Sequence, residues 1–258
     1  MKTYHLGLDG QGDTKLESLP LPFIFNGTTA TDRDRERAPG PEIAQKYAAL
    51  RLLKRQAGFV ENTAARAYPR LLIIASGSVE LTTAYMVAEL SPGDVMYLDD
   101  LNGGTGVLTY GEDTRIIEIE VSTDWKPEGV VPPVIKDAGV ANKVVEMHVA
   151  DEKAHFRDAS GLFDLQETDD SAESILAVSF LAFSPDLVSD WHTEAAVSIV
   201  VALSGGFELQ VGGQGGEEVL RAGDVCLVDD RTGQGHITRI HGETRVVAIR
   251  IPNEHRWR

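Results

Sequence analysis

Two histidines and a glutamate in the second half of the chain have the residue types and spacing of a metal centre. His192 and Glu194 stand two residues apart, and His236 lies further along the chain. Side chains at positions i and i+2 of a β-strand share a face, so a histidine on a neighbouring strand would complete a set of two imidazoles and one carboxylate. The sequence predicts that this set binds a divalent transition metal (iron, manganese, nickel or zinc) and leaves coordination positions open for a ligand.

The same residues fit other roles. His192 and Glu194 could act without metal as the catalytic acid and base, or they could hydrogen-bond to each other and bind nothing. Ser198 lies on the same predicted strand face, where a fourth protein ligand would be useful. Its hydroxyl is a poor metal ligand, so we assign Ser198 to substrate binding.

An internal repeat provides a second copy of this region without the histidines. Leu90–Val121 aligns with Leu220–Ile251 at an offset of 130, and ten of the 32 positions are identical, where chance would give roughly two. Ala48–Leu81 aligns with Leu176–Leu209 at an offset of 128. The two-residue difference falls on two stretches that have the composition of hairpin turns, TTAYMVAE and QVGGQGGEEV.

The first copy cannot hold the same metal. Its four corresponding positions are Ala64, Arg66, Arg70 and Gly106. Equal spacing on one strand would place Arg66 and Arg70 on the same face, where they would bind an anionic substrate or pair with surface carboxylates. Both copies keep an Asp-Asp pair, at Asp229 and Asp230 in the second, which predicts a turn role through bonds from backbone N–H groups.

The elements that must position these residues are predicted to be β-strands. Short apolar or β-branched runs alternate with Gly or Asp clusters about every 8–12 residues, as in an all-β sandwich or barrel. In the second half the predicted strands are Ile175–Phe183, Ala196–Leu203, Gly206–Val211, Gly223–Val228, Gly235–Ile240 and Thr244–Ile251. The proline-rich stretch Lys126–Asn142 predicts a stiff linker between domains at residues 1–130 and 140–258.

With the repeat, the motifs resemble those of the cupin superfamily, and the arrangement is similar to a bicupin. In the first cupin motif, His192 and Glu194 take the two histidine places, Ser198 the glutamate place and Gly205 the closing glycine. In the second, Gly223 opens the segment and His236 takes the histidine place. The motif proline is absent, two extra residues sit in the turn, and Ile240 replaces the usual asparagine. The pattern GD…DD.TG.GH resembles a widespread group of bacterial cupins.

The resemblance implies two tandem double-stranded β-helix (jelly-roll) barrels. It also implies a small-molecule enzyme that uses the second barrel as a dioxygenase, isomerase or lyase. The alternatives are a metal-free acid/base epimerase or a non-catalytic ligand-binding bicupin. The first barrel would hold no metal.

Composition narrows the partners and the compartment. The formal net charge of −16 gives no basic footprint for nucleic acid. No stretch approaches the roughly 18 apolar residues of a membrane span. A single cysteine, Cys226, suits a reducing compartment, so we expect a cytoplasmic protein. Leu71–Ala75 and Val197–Leu203 are almost continuously apolar, which predicts that both of their faces are covered, by the neighbouring barrel or in a homodimer.

Overall fold

A computed structural model describes residues 1–8, 14–26, 46–99, 101, 105–126, 129, 131, 143–163, 172–214 and 216–255. In these ranges the chain is built from β-strands and two single 3₁₀ turns, Thr63–Ala65 and Ser160–Phe163. None of the helical segments described is long and apolar enough to cross a membrane. The all-β class predicted from the sequence is confirmed.

The strands have the following bounds. In chain order they are β1 Thr3–Leu8, β2 Thr14–Ser18, β3 Phe23–Asn26, β4 Tyr47–Arg55, β5 Val60–Asn62, β6 Arg70–Ser76, β7 Val79–Thr82, β8 Val87–Leu90, β9 Val95–Leu98, β10 Val107–Tyr110, β11 Thr114–Val121, β12 Val144–Ala150, β13 Lys153–Asp158, β14 Glu173–Ser174, β15 Ala177–Phe183, β16 Ser198–Val211, β17 Glu217–Arg221, β18 Val225–Asp229 and β19 His236–Arg250.

Two sheets form the first half of the protein. One has the strand order β14-β4-β11-β6-β9-β1-β2, and the other has the order β5-β10-β7-β8. Leu72 and Ile74 of the first sheet pack with Leu81 and Leu108 of the second in one buried cluster. The two sheets therefore enclose an apolar core in the manner of a jelly roll.

The second half has fewer, longer strands, which form one sheet. Its sheet runs β13-β12-β18-β16-β19-β15-β3, with β17 paired to β16. The prediction of separate strands at 196–203 and 206–211 is wrong, because β16 continues through a bulge at Ser204. At the bulge Gly205 has φ +70°, and an added Cβ would lie 2.3 Å from the carbonyl oxygen of Glu243. The strands predicted at 235–240 and 244–251 are likewise the single strand β19.

The strand registers repeat with the offsets seen in the sequence. Arg70 is paired with Leu98 and Glu120. Ser198, 128 residues later, is paired with Val228 and Arg250, each 130 residues after its counterpart. The hairpin closed by Thr82 and Val87 corresponds to the longer hairpin closed by Gln210 and Glu217. The two-residue difference therefore lies in this turn, as predicted.

The two halves exchange strands. From the N-terminal part of the chain, β3 runs parallel to β15 in the second half's sheet. In return, β14 pairs antiparallel with β4 in the first half's sheet. The halves are therefore joined by backbone hydrogen bonds as well as by chain connection. Most of the predicted linker, Lys126–Asn142, lies outside the described residues.

A third apolar cluster lies between the halves. Leu71 and Ile73 of β6 share this buried cluster with Ile199 and Val201 of β16. The alternate residues Leu72 and Val200 point instead toward the cores of their own halves. Both faces of these strands are thus covered within one chain. The apolar runs predicted that these strands are covered either by the neighbouring barrel or in a homodimer. The structure shows that the two halves of one chain cover them.

Candidate active site in the second half

His192 and His236 are placed side by side by their own backbones. The N–H of His192 donates to the carbonyl oxygen of His236 at 3.0 Å, and the N–H of His236 donates to that of His192 at 2.8 Å. Residues that exchange both bonds face each other across an antiparallel bridge, so their side chains point the same way. The two imidazole centroids lie 4.3 Å apart, with the ring planes inclined at 52°.

Glu194 completes the cluster from a loop. The prediction that His192, Glu194 and Ser198 share one strand is wrong, because β16 begins only at Ser198. His192 is held instead by the isolated bridge to His236. The loop still brings the predicted set together, since one potential ligand atom from each of His192, Glu194 and His236 lies within 4.8 Å of the other two.

Gly235 makes the bridge possible. Its φ is +73°, which side chains strongly disfavour, and an added Cβ would lie 1.9 Å from the carbonyl oxygen of His192. Any other residue would push the segment before His236 away from His192. The glycine of the GQGH sequence therefore serves the approach of two backbones.

The Nδ1 atoms of both histidines have acceptor partners. His192 Nδ1 lies 2.8 Å from the carbonyl oxygen of Asp190, and His236 Nδ1 lies 2.7 Å from Oδ2 of Asp230. A carbonyl or carboxylate oxygen can only accept, so each ring donates from Nδ1, which leaves Nε2 as the atom that could coordinate a metal. Such partners commonly orient metal-binding histidines.

The turn role predicted for Asp230 is wrong. Its carboxylate is fully buried and bonds to the His236 ring. The neighbouring Asp229 pairs with Arg231 at 2.7 Å. The sequence signal that could have found this contact is the six-residue spacing of Asp230 and His236 around a glycine-rich turn. The internal repeat pointed away from this contact, because the first half keeps both aspartates but has no histidine at the corresponding position.

Ser198 and Cys226 are buried on neighbouring strands. Ser198 is 3% exposed at the start of β16, and its hydroxyl donates to the carbonyl oxygen of Ala196 at 3.4 Å. Cys226 belongs to the apolar core of the second half, and burial raises the pKa of its thiol. Cys226 is thus a packing residue, as its apolar surroundings in the sequence indicate.

In the first half, Thr63 and Gly106 face each other at the position of the histidine bridge. The N–H of Thr63 donates to the carbonyl oxygen of Gly106 at 2.9 Å, and a Cβ on Gly106 would lie 2.7 Å from the Thr63 hydroxyl. Thr63 rather than Ala64 therefore stands opposite Gly106. The gapless alignment is off by one residue at this point. In the second half Val188 pairs with Arg239 and His192 pairs with His236, so a step of four positions faces a step of three.

Buried carboxylates pair with the arginines of the first half. Arg70, 1% exposed, lies 2.7 Å from Glu61 and 2.8 Å from Glu118. Arg66 precedes β6 instead of sharing a strand with Arg70, and its Nε is 3.8 Å from the same Glu118. Burial acts to raise the pKa of Glu61, but the Arg70 charge and hydrogen bond outweigh it and hold this pKa below its usual value.

These glutamates neutralise the positive charges of the two arginines, which an anionic substrate would otherwise do. Of the two roles predicted for Arg66 and Arg70, pairing with carboxylates is the one that these contacts favour. The partners are buried glutamates of β5 and β11 and not the surface acids expected from the net charge. The first half thus places a guanidinium where the second half has Ser198.

Comparison with known proteins finds likeness in structure. No family model and no curated protein matches the chain. A cupin 2 conserved barrel domain protein from Leptotrichia buccalis is similar at 12% identity and TM-score 0.40, with 79% of this chain and 84% of that chain covered. A DUF861-family protein from Pseudomonas syringae is similar at 13% identity and TM-score 0.37, with 96% and 100% covered.

Oxalate decarboxylase from Bacillus subtilis, a protein with Mn(II) centres, is similar at 12% identity and TM-score 0.29, with 81% of this chain and 70% of that chain covered. Cupin-domain proteins are therefore among the structural neighbours. The jelly-roll class of this chain rests on its own strand order and registers.

Replacing Gly235 should open the histidine bridge. Gly242 is the matched control, since its φ is +72° but no atom lies within 4 Å of an added Cβ. Gly242→Ala should lower the free energy of unfolding by about 1 kcal/mol through backbone strain alone. Gly235→Ala should lower it further and speed hydrogen exchange at the His236 amide. Equal effects in urea unfolding and exchange would show that the close approach is unimportant.

Removing Arg70 should leave two buried carboxylates without their nearest cation. We expect Arg70→Met to cost about 3–5 kcal/mol in urea unfolding. Arg157→Met is the control, because Arg157 is mostly exposed in its pair with Glu146, where about 1 kcal/mol or less is expected. Adding Glu61→Gln and Glu118→Gln to Arg70→Met should restore part of the loss. Similar losses for both single variants would contradict a buried network.

Proposed function

We propose that the second half is the active domain of a metal-dependent, small-molecule enzyme. His192, Glu194 and His236 would hold a divalent transition metal, with iron, manganese, nickel and zinc all compatible with the donors. The observation that carries the proposal is the convergence of the three potential ligand atoms within 4.8 Å of one another. Two ligands about 2.1 Å from a tetrahedral ion lie about 3.4 Å apart, so closing the set needs side-chain movement of roughly 1 Å.

The charges of the site support a dication. Glu194 and Asp230 bring two carboxyl groups to the cluster, and each histidine donates from Nδ1 to an oxygen. A divalent ion would neutralise the cluster. Without a cation, the fully buried Asp230 carboxylate would be costly in a medium of low polarity.

The surroundings suit a small organic ligand. Phe207, Leu209 and Ile240 belong to the apolar core of the second half, on the strands β16 and β19 that pair Val211 with His236. A bound metal would act there as a Lewis acid or bind oxygen, giving dioxygenase, isomerase or lyase chemistry. The chain's own part is to orient both imidazoles through their Nδ1 bonds. Ser198, on the strand that begins just after Glu194, is proposed to contact the substrate.

Other proposals follow from the same arrangement. The first half, residues 1–130, would be a structural jelly roll without metal, and the second, residues 140–258, would carry the site. In one alternative, His192 and Glu194 are the acid and base of a metal-free enzyme. In the other, the second half binds a ligand without catalysis. Metal content separates the first proposal from these two.

Protein purified without an affinity tag should contain about one metal ion per chain by elemental analysis. His236→Ala should abolish that content, because two ligands hold a transition metal too weakly to survive purification. His241→Ala is the control, since its side chain is mostly exposed and pairs with Glu208 outside the cluster. Full metal content in His236→Ala would show that the site lies elsewhere. Metal-free wild-type protein that also fails to bind added metal would leave the two alternatives.

The homodimer stays a proposal, although β6 and β16, the strands that suggested it, are covered within the chain. Light scattering at micromolar concentration should give twice the 28.0 kDa of one chain. The mass of a single chain would contradict the dimer, and the shared core between the halves would then fully explain the apolar strands.

A further inference from the structure

We infer that Asp230 is a positioning residue of the metal site, which rests on the proposed function. It fixes the tautomer and direction of the His236 ring and supplies buried negative charge to balance a divalent ion. The repeat pointed to a turn role for it. Three features of the second half carry the inference.

The first feature is the contact itself. Asp230 Oδ2 lies 2.7 Å from His236 Nδ1, and the two side chains are 0% and 3% exposed. The segment between them reverses through Gly233 and Gly235, whose φ values are +77° and +73°. An added Cβ on Gly233 would lie 2.5 Å from the carbonyl oxygen of Glu152. The backbone on both sides of the turn therefore restricts where the carboxylate and the ring can lie.

The second feature is the poverty of other partners for this carboxylate. Asp230 Oδ1 is buried and has no hydrogen-bond partner among the described residues. Among the described residues, the ion-pair partner of Asp230 is His236. A buried carboxylate normally accepts several bonds or contacts a cation, because desolvation penalises its charge. A dication on the far side of the His236 ring would supply the missing positive charge.

The third feature is the contrast with a structural aspartate of the same half. Asp224 is also buried, at 3% exposed. It accepts the backbone N–H groups of Lys143 at 2.7 Å and Arg221 at 2.8 Å. Asp94 holds the equivalent place in the first half and also accepts from Ser91. These residues close turns in both halves, whereas Asp230 turns its carboxylate toward an imidazole.

Metal affinity tests the role directly. Full-length protein stripped of metal would be titrated with Co²⁺ and Mn²⁺ by calorimetry. Asp230→Asn and Asp230→Ala should weaken binding about 10–100-fold, the usual effect of losing a partner behind a metal-bound histidine. Asp224→Asn removes a buried carboxylate from the same half without touching the site, so it should bind as wild type. Wild-type affinity in both Asp230 variants would overturn the inference, as would an equal loss in Asp224→Asn.

The tautomer of His236 tests the role without metal. Nitrogen-15 NMR of the metal-free protein should show the proton on Nδ1 in wild type and in Asp224→Asn, and a shift toward Nε2–H in both Asp230 variants. A His236 proton on Nε2 in wild type would overturn the inference. If wild type binds no metal but the Asp230 variants change the tautomer, the proposed function fails while the positioning of the ring by Asp230 stands.

Discussion

The antiparallel ladder between β16 and β19 is the interaction on which the second half depends. It pairs Ser198 with Arg250 at one end and Val211 with His236 at the other. His236 is therefore the first residue of a strand that pairs with β16, whereas His192 is held by an isolated bridge to His236. The same ladder presents Ile199 and Val247 to the core between the halves. Site and domain contact are thus built on one pair of strands.

The two halves carry different charged groups at corresponding positions. In the first, the guanidinium of Arg70 is covalently part of the chain and is neutralised by Glu61 and Glu118. In the second, the corresponding Ser198 carries no charge, and two carboxylates gather near two imidazoles. A guanidinium cannot exchange with ions in solution or act as a Lewis acid on a substrate oxygen. The first arrangement suits a structural role, and the second leaves room for an exchangeable ion.

The adjacent aspartates of the second half show how burial assigns roles to identical residues. Asp229 is partly accessible and pairs with Arg231, so water screens its charge. Asp230, one position later on the opposite side of the chain, is fully buried against His236. Because water does not screen a buried charge, the Asp230 carboxylate would act strongly on an ion bound to the His236 ring.

The sequence by itself determined the strand content, the repeat and the three potential ligands. β-branched runs, glycine punctuation and a constant offset are local properties, and they predicted even the turn at which the halves differ in length. Only the tertiary structure decided that Glu194 reaches the site from a loop, that β3 and β14 cross between halves, and that Asp230 supports His236. These depend on contacts between residues far apart in the chain or around a turn whose path neighbouring backbone restricts. No local pattern encodes the close approach of the His192 carbonyl oxygen, which leaves no room for a side chain at position 235.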